Sequence, residues 1–236
     1  MPDRLRILVE AGILRPARPD KLVRVARELA RWGASPAAGV AAAAVRYPGE
    51  TMLSDELGSL SFRQVHLRSN RLARALRAEG IGEGDGVAIL ARNHRFFVES
   101  VLAVSKLGAN ALFMNTMFSG PQLKGVAERE KPAALIYDDE FADLLSGVDA
   151  DLKRFVAWQG DGEADDPSVE SLLDAVGDDS DLTPPDSGSK FVVLTSGTTG
   201  VPKGAQRGQP DTLGPIAALL SQIPLRARET TVIAAP

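Results

Sequence analysis

The chain has 236 residues, 44% of them apolar, and a formal net charge of −4, so it has enough apolar sequence for one large or two small folded domains. With 5% aromatic residues it lacks the basic field and the stacking rings of a nucleic-acid-binding protein, and we expect no nucleic-acid partner. It has no cysteine and only two histidines, His66 and His94, which excludes disulfides, thiolate metal sites and a zinc cluster.

The first 32 residues are basic, with eight Lys or Arg against four Asp or Glu. They contain no apolar run long enough for a secretory signal, so we expect a cytoplasmic protein. From Lys21 to Trp32, apolar residues recur every three or four positions opposite basic ones, which predicts an amphipathic helix. Its basic face is either the solvated side of a packed helix or a peripheral contact of residues 17–32 with the inner face of an anionic membrane.

Strands and helices alternate from residue 51 to residue 137. A hairpin is predicted around Glu56–Gly58, and helices are expected after the capping residues Ser61 and Ser119 and around Phe97–Leu107. The strands between them are apolar without a polar face, which indicates a mostly parallel sheet covered by helices on both sides. They are Val87–Leu90, Asn110–Met114 and Ala133–Tyr137. We divide the chain into a basic helical segment, residues 1–46, and an α/β domain, residues 47–236.

Three charged or titratable features outside the strands are explained by structure and do not require a functional site. Residues 161–189 hold ten carboxylates and no basic residue, which is typical of a linker, although a short helix is predicted after Ser168. Consecutive acids at 138–140 are expected to form a solvated turn and not a metal site, because adjacent side chains seldom share a face. His94 follows a strand, where ligands gather in α/β sheets, but a polar contact at a helix start explains it better. No general acid/base pair or nucleophile triad can be assembled.

The most informative stretch is "KFVVLTSGTTGVPKGA", Lys190 to Ala205. A buried-type strand leads into a run of glycines and hydroxyl residues, whose bends bring successive backbone N–H groups together. Such a concave group of amides, with hydroxyls around it and Lys203 beside it, suits the oxygens of a nucleoside triphosphate. It is not a Walker A loop, because Pro202 precedes the lysine and Gly204 follows it.

The pattern T-S-G-T-T-G-x-P-K-G over Thr195–Gly204 resembles the phosphate loop of the adenylate-forming superfamily. That superfamily includes acyl-CoA synthetases, luciferases and the adenylation domains of peptide synthetases. Other stretches are also similar, among them "RQVHLRSNRLARALRAEGIGEGDGVAIL" and "FVESVLAVSKLGANALFMNTMFSGPQL". The chain is most similar to the N-terminal part of bacterial long-chain fatty acid CoA ligases. The resemblance implies a partial adenylate-forming N-terminal domain of the α/β class, incomplete at its C-terminal edge.

The resemblance also implies an activity. In such enzymes a fatty acid is activated by Mg²⁺-ATP to an acyl adenylate, and coenzyme A then displaces AMP. The carried-over catalytic residue is Lys203, which would offset charge on the departing pyrophosphate, while Mg²⁺ would arrive on the nucleotide. The residues that would wrap the β- and γ-phosphates are Thr195, Ser196, Gly197, Thr198, Thr199, Gly200 and Lys203.

The chain also departs from the family pattern. The resemblance would place an aromatic-histidine motif, an adenine and metal motif, a ribose aspartate and a mobile C-terminal domain after Pro236. We therefore expect a fragment limited to binding the ATP phosphates. Two alternatives remain: a non-catalytic nucleotide-binding or interaction fragment, and an adenylating enzyme for an aryl or amino acid.

Overall fold

The computed structural model describes residues 6–7, 9–12, 15–160, 164–195, 203–207, 218, 220–223 and 225–233. Among these residues the α-helices are α1 (Pro19–Trp32), α2 (Pro36–Arg46), α3 (Phe62–Ala78), α4 (Arg95–Leu107), α5 (Gly120–Glu130) and α6 (Val169–Ala175). The strands are β1 (Thr51–Asp55), β2 (Gly58–Ser61), β3 (Gly86–Leu90), β4 (Asn110–Phe113), β5 (Ala134–Tyr137), β6 (Lys153–Val156), β7 (Phe191–Thr195) and β8 (Lys203–Arg207). A 3₁₀ helix covers Asp139–Gly147.

The main sheet has the strand order β6-β5-β3-β4-β7-β8. Its first five strands are parallel, and β8 joins β7 in the antiparallel direction. The central strand β3 is buried on both sides from Val87 to Leu90, as its apolar sequence requires. The mostly parallel sheet flanked by helices is thus confirmed.

Alternating residues of the sheet supply two separate cores. Val87 and Ile89 face one core, which contains residues of α2, α3 and α4. Ala88 and Leu90 face the other, where α5 and the 3₁₀ helix pack. The basic N-terminal segment contributes to the first core, because Trp32 and the alanines at the start of α2 are buried there. Among the described residues, no helix is long and apolar enough to cross a membrane.

The predicted helix boundaries are confirmed by their capping contacts. The backbone N–H of Ser61 donates to Gln64 Oε1 at 2.8 Å, and that of Gln64 donates back to Ser61 Oγ at 3.3 Å. Helix α4 ends at Gly108, which adopts the left-handed conformation with φ of 73°. The predicted hairpin is β1–β2, and Asp55 ties it to α4 by accepting hydrogen bonds from Arg95 Nε at 3.0 Å and Arg95 Nη2 at 2.6 Å.

Strand β6 is absent from the sequence prediction. It lies at the edge of the sheet beside β5, and its first two residues, Lys153 and Arg154, point at least partly to solvent. Charged residues are common on edge strands, where they discourage further pairing. The same charges break the apolar pattern by which the other strands are recognised.

The acidic segment is not a free linker, because residues 170–181 are docked along helix α3. Arg68 binds Glu99 on α4 at 2.6 Å and Glu170 on α6 at 2.6 Å. Further along α3, Arg74 binds Asp178 at 2.9 Å. The last part of the segment is held by Glu83, whose carboxylate accepts backbone N–H groups of residues 186 and 187 at 3.0 and 2.6 Å.

Candidate functional site

The candidate site lies where the parallel strands end. Because β3, β4, β5 and β7 run in the same direction, their carboxyl ends meet at one edge of the sheet. Ligands of open α/β sheets bind in the crevice at this edge. Strand β7 ends there at Thr195, the first residue of the predicted phosphate loop.

The two ends of the loop face each other across a strand pair. Thr195 is opposite Lys203, and Leu194 is opposite Gly204, in the antiparallel ladder of β7 and β8. The structure therefore brings together Thr195 and Lys203. The other predicted phosphate-binding residues lie outside the described residues: Ser196, Gly197, Thr198, Thr199 and Gly200. A group of converging free amides is a prediction that now rests on residues 196–202.

Strand β7 is firmly positioned beneath the loop. Its first residue stacks on β4, because the rings of Phe191 and Phe113 are 6.0 Å apart and nearly parallel. Phe97 of α4 packs on the other side of Phe113 at 5.8 Å. The N–H of Lys190 donates to Asn110 Oδ1 at 2.9 Å, which fixes the start of the strand. A rigid strand of this kind is a suitable support for a binding loop.

A buried histidine and aspartate lie at the ends of β3 and β5. His94 Nε2 is 2.9 Å from Asp138 Oδ1, and both side chains are almost fully buried. Asp138 also accepts the backbone N–H of Arg92 at 2.7 Å. The predicted polar contact of His94 is thus confirmed with Asp138 as its partner. The predicted solvated turn at residues 138–140 is wrong for Asp138, because satisfying these donors requires the carboxylate to be inside.

The aromatic surroundings of His94 and Asp138 favour a role in holding neighbouring residues in place over a role in catalysis. The His94 ring packs 5.1 Å from Trp158 and 5.9 Å from Phe96, and its Nδ1 has no hydrogen-bond partner among the described residues. One signal could have paired His94 with Asp138: Asp138 directly follows β5, His94 lies four positions after the end of β3, and these two strands are neighbours. The sequence alone does not give the strand order, so it does not show that β3 and β5 are neighbours.

A second group missed by sequence analysis is Lys106 of α4, which is fully buried. Its Nζ donates to Asn70 Oδ1 at 2.6 Å, Ser69 Oγ at 2.7 Å and the carbonyl of His66 at 2.9 Å, all of them uncharged acceptors. Burial without a carboxylate contact lowers the pKa of Lys106 to about 7. On the far side of His66, its Nε2 contacts Asp181 at 2.9 Å. This cluster joins α3, α4 and the acidic segment and is structural.

Comparison with known proteins gives consistent matches. The sequence profile of the family described as AMP-binding enzyme matches residues 40–236. The chain is 30% identical over 146 residues to the fatty acid–[acyl-carrier-protein] ligase ScoC of Streptomyces coeruleorubidus, covering 62% of this chain and 27% of that protein. It is 30% identical over 156 residues to the long-chain-fatty-acid–CoA ligase of Thermus thermophilus, covering 63% and 28%.

The fold has solved counterparts as well. One is the anthranilate CoA ligase AuaEII in complex with anthranoyl-AMP, with a TM-score of 0.63 and 25% identity over 69% of this chain and 32% of that chain. The matches to the two curated relatives above span less than a third of their length. These three proteins also differ from one another in the acid and the acceptor that their names give.

Proposed function

The chain belongs to the AMP-binding enzyme family, the adenylate-forming enzymes that its phosphate loop resembles, and we propose that it binds the phosphates of ATP for activation of a fatty acid. In that reaction a carboxylate oxygen attacks the α-phosphorus, the bond to the β-phosphate breaks and pyrophosphate leaves. The thiol of coenzyme A then attacks the acyl carbonyl and AMP departs. A loop that holds phosphates contributes positioning and charge neutralisation to the first step.

The observation that carries this proposal is the position of the loop. Thr195 and Lys203 are paired at the carboxyl edge of a parallel sheet, and the sequence between them is the one typical of the family. We propose that Ser196, Gly197, Thr198, Thr199 and Gly200, together with these two residues, surround the β- and γ-phosphates. In this proposal Mg²⁺ would come with the nucleotide.

Lys203→Ala tests the proposal. Loss of one charged contact to phosphate should weaken ATP binding by about tenfold or more, measured by isothermal titration calorimetry. Lys190→Ala removes the same charge from an exposed position just before β7 and should leave ATP affinity within about twofold. Equal losses in the two variants, or a large fall in thermal stability of Lys203→Ala alone, would contradict a phosphate contact.

The acid and the extent of catalysis need a separate test. A fatty acid substrate is supported by the two curated relatives, whereas an aryl acid is suggested by the anthranilate ligase. Exchange of labelled pyrophosphate into ATP, measured with fatty, aryl and amino acids, would distinguish these substrates. Binding of ATP without exchange for any acid would favour the alternative of a non-catalytic nucleotide-binding fragment.

We also propose a cytoplasmic location, with peripheral contact of residues 17–32 at the inner membrane face as a second candidate function. The specific observation is that Leu22, Val23 and Leu29 of α1 are exposed beside basic residues. Exposed apolar residues next to basic ones are typical of helices that lie on anionic membranes. Sedimentation with vesicles of anionic and of neutral lipids tests this contact.

A further inference from the structure

A basic cleft lies between the N-terminal segment, the end of α2 and the segment around residue 228. We call it the basic cleft, and its volume is about 280 Å³. Its lining contains five cationic side chains and no acidic one. The lining residues are Arg15, Pro16, Ala17, Arg18, Lys21, Arg46, Tyr47 and Arg228.

Neutral contacts hold the centre of the basic cleft. The Arg46 guanidinium donates to the carbonyl of Arg15 at 2.6 Å and to the Tyr47 hydroxyl at 2.8 Å, and it lies 5.3 Å from the centre of the Tyr47 ring. Lys21 Nζ donates to the carbonyl of Arg46 at 3.1 Å. These contacts position two cations and leave their charges uncompensated.

The opposite wall comes from a remote part of the sequence. The N–H of Ala227 donates to the carbonyl of Ala11 at 2.8 Å, which brings the next residue, Arg228, to the basic cleft. Arg228 has a φ of 72°, a left-handed conformation that is strained for a residue with a side chain. The fold therefore places a cation here at some expense in backbone strain.

Few carboxylates compensate this charge. Arg18 contacts Asp20 at 3.3 Å and Arg228 contacts Glu50 at 3.1 Å, and in both pairs the side chains are exposed, so the contacts are weak. Among the described residues no ion pair is formed by Arg15, Lys21 or Arg46. Cations held this close repel one another, and an anion in the basic cleft would relieve that repulsion.

We propose that the basic cleft is a binding site for a phosphate group carried as a monoester or diester. One guanidinium group can donate two parallel hydrogen bonds to a phosphate, and a lysine adds a compact positive charge. A volume of about 280 Å³ accommodates a phosphate with a small substituent. Two sources have this chemistry: a soluble phosphorylated metabolite, and a phospholipid headgroup, whose acyl chains would meet exposed Leu22 and Val23.

The site uses no residue of the phosphate loop, so its failure would leave the ATP proposal intact. The test compares two double variants with equal charge: Arg15→Gln with Lys21→Gln in the basic cleft, and Arg63→Gln with Arg77→Gln, exposed positions of α3 outside both the cleft and residues 17–32. Binding of inorganic phosphate and of glycerol 3-phosphate is followed through the side-chain N–H signals of arginine in NMR spectra. Phosphatidylcholine vesicles with and without phosphatidic acid are tested by sedimentation.

The expected result is saturable binding that falls about tenfold in the Arg15/Lys21 variant and less than twofold in the Arg63/Arg77 variant. Binding of the soluble phosphates indicates a metabolite, whereas binding only of vesicles with phosphatidic acid indicates a headgroup. Equal losses in the two variants, or no saturable binding of either probe, would overturn the proposal. Arg15→Gln alone, which removes an exposed side chain, serves if the double variant unfolds.

Discussion

Two basic regions of the molecule have opposite electrostatic surroundings. On α3, Arg68 and Arg74 are met by carboxylates of α4 and of the acidic segment, at distances of 2.6 and 2.9 Å. In the basic cleft, Arg15, Lys21 and Arg46 line the same space, and the contacts of Lys21 and Arg46 are to uncharged oxygens, among them the carbonyls of Arg46 and Arg15. The carboxylates of the acidic segment thus compensate the positive charge of α3, whereas most of the positive charge of the basic cleft has no carboxylate partner. A matched cation contributes to folding, whereas an unmatched exposed one is available to a ligand.

The largest effect is expected at Arg68. Arg68→Gln would leave Glu99, which is fully buried, without its cation, and we expect a loss of about 3 kcal/mol in the free energy of unfolding by urea denaturation. Arg77→Gln, on an exposed turn of the same helix, should change it by less than about 0.5 kcal/mol. Adding Glu99→Gln to the Arg68 variant should recover part of the loss. Similar losses in the free energy of unfolding for Arg68→Gln and Arg77→Gln would show that the ion pairs of Arg68 do not stabilise the fold.

Lys106 is an intermediate case, buried but without a carboxylate contact. Burial lowers its pKa from 10.5 to about 7, so between these pH values the unfolded chain binds a proton that the folded chain does not. The free energy of unfolding should therefore rise with pH above about 7, by at most about 1.4 kcal/mol per pH unit. Below pH 7 both states are protonated and this dependence disappears.

The measurement for Lys106 is urea denaturation of the natural chain and of Lys106→Met across this pH range. The neighbouring groups do not titrate there, because burial and Lys106 lower the pKa of His66. Burial raises the pKa of Asp181, but contact with His66 together with the charges of Arg31 and Lys106 brings it below its usual value. A constant difference between the two chains at every pH would contradict the prediction.

The smallest changes in stability are expected for Arg74→Gln and Arg15→Gln, and the two should differ. Arg74→Gln removes contacts to Asp178 and Ser180 on a partly exposed surface and should cost about 1 kcal/mol. Arg15→Gln should cost nothing and at low salt should raise the midpoint of thermal unfolding slightly, because it reduces repulsion in the basic cleft. A loss at Arg15 as large as that at Arg74 would remove the contrast between the two regions.

Local sequence patterns predicted most of the fold. The capping residues Ser61 and Ser119 and the stop at Gly108 mark real helix boundaries, because each satisfies backbone groups within a few positions. Strand β6 was missed because charged residues interrupt its apolar pattern. A docked short helix was predicted in the acidic segment, but its ionic partners were missed for another reason: Arg68 and Glu170 are 102 positions apart, and only the folded chain brings them together.

The candidate site divides in the same way. The phosphate loop was recognisable because its spacing is a local property, and its place at the carboxyl edge follows from a strand leading into it. His94 and Asp138, in contrast, become partners only through the adjacency of β3 and β5. The basic cleft needs three segments to meet, so its individual arginines give no signal beyond net charge.

The corner at Gly108 links remote parts of the chain to the loop strand. A Cβ atom added there would lie 2.6 Å from Pro185 Cβ and 3.0 Å from Glu83 Cγ, so a larger residue would collide with both. Glu83 in turn anchors residues 186 and 187, five and four positions before β7. Replacing residues 164–189 with a flexible linker would therefore remove contacts that hold β7 in place. No residue of the predicted phosphate loop would be deleted by that change.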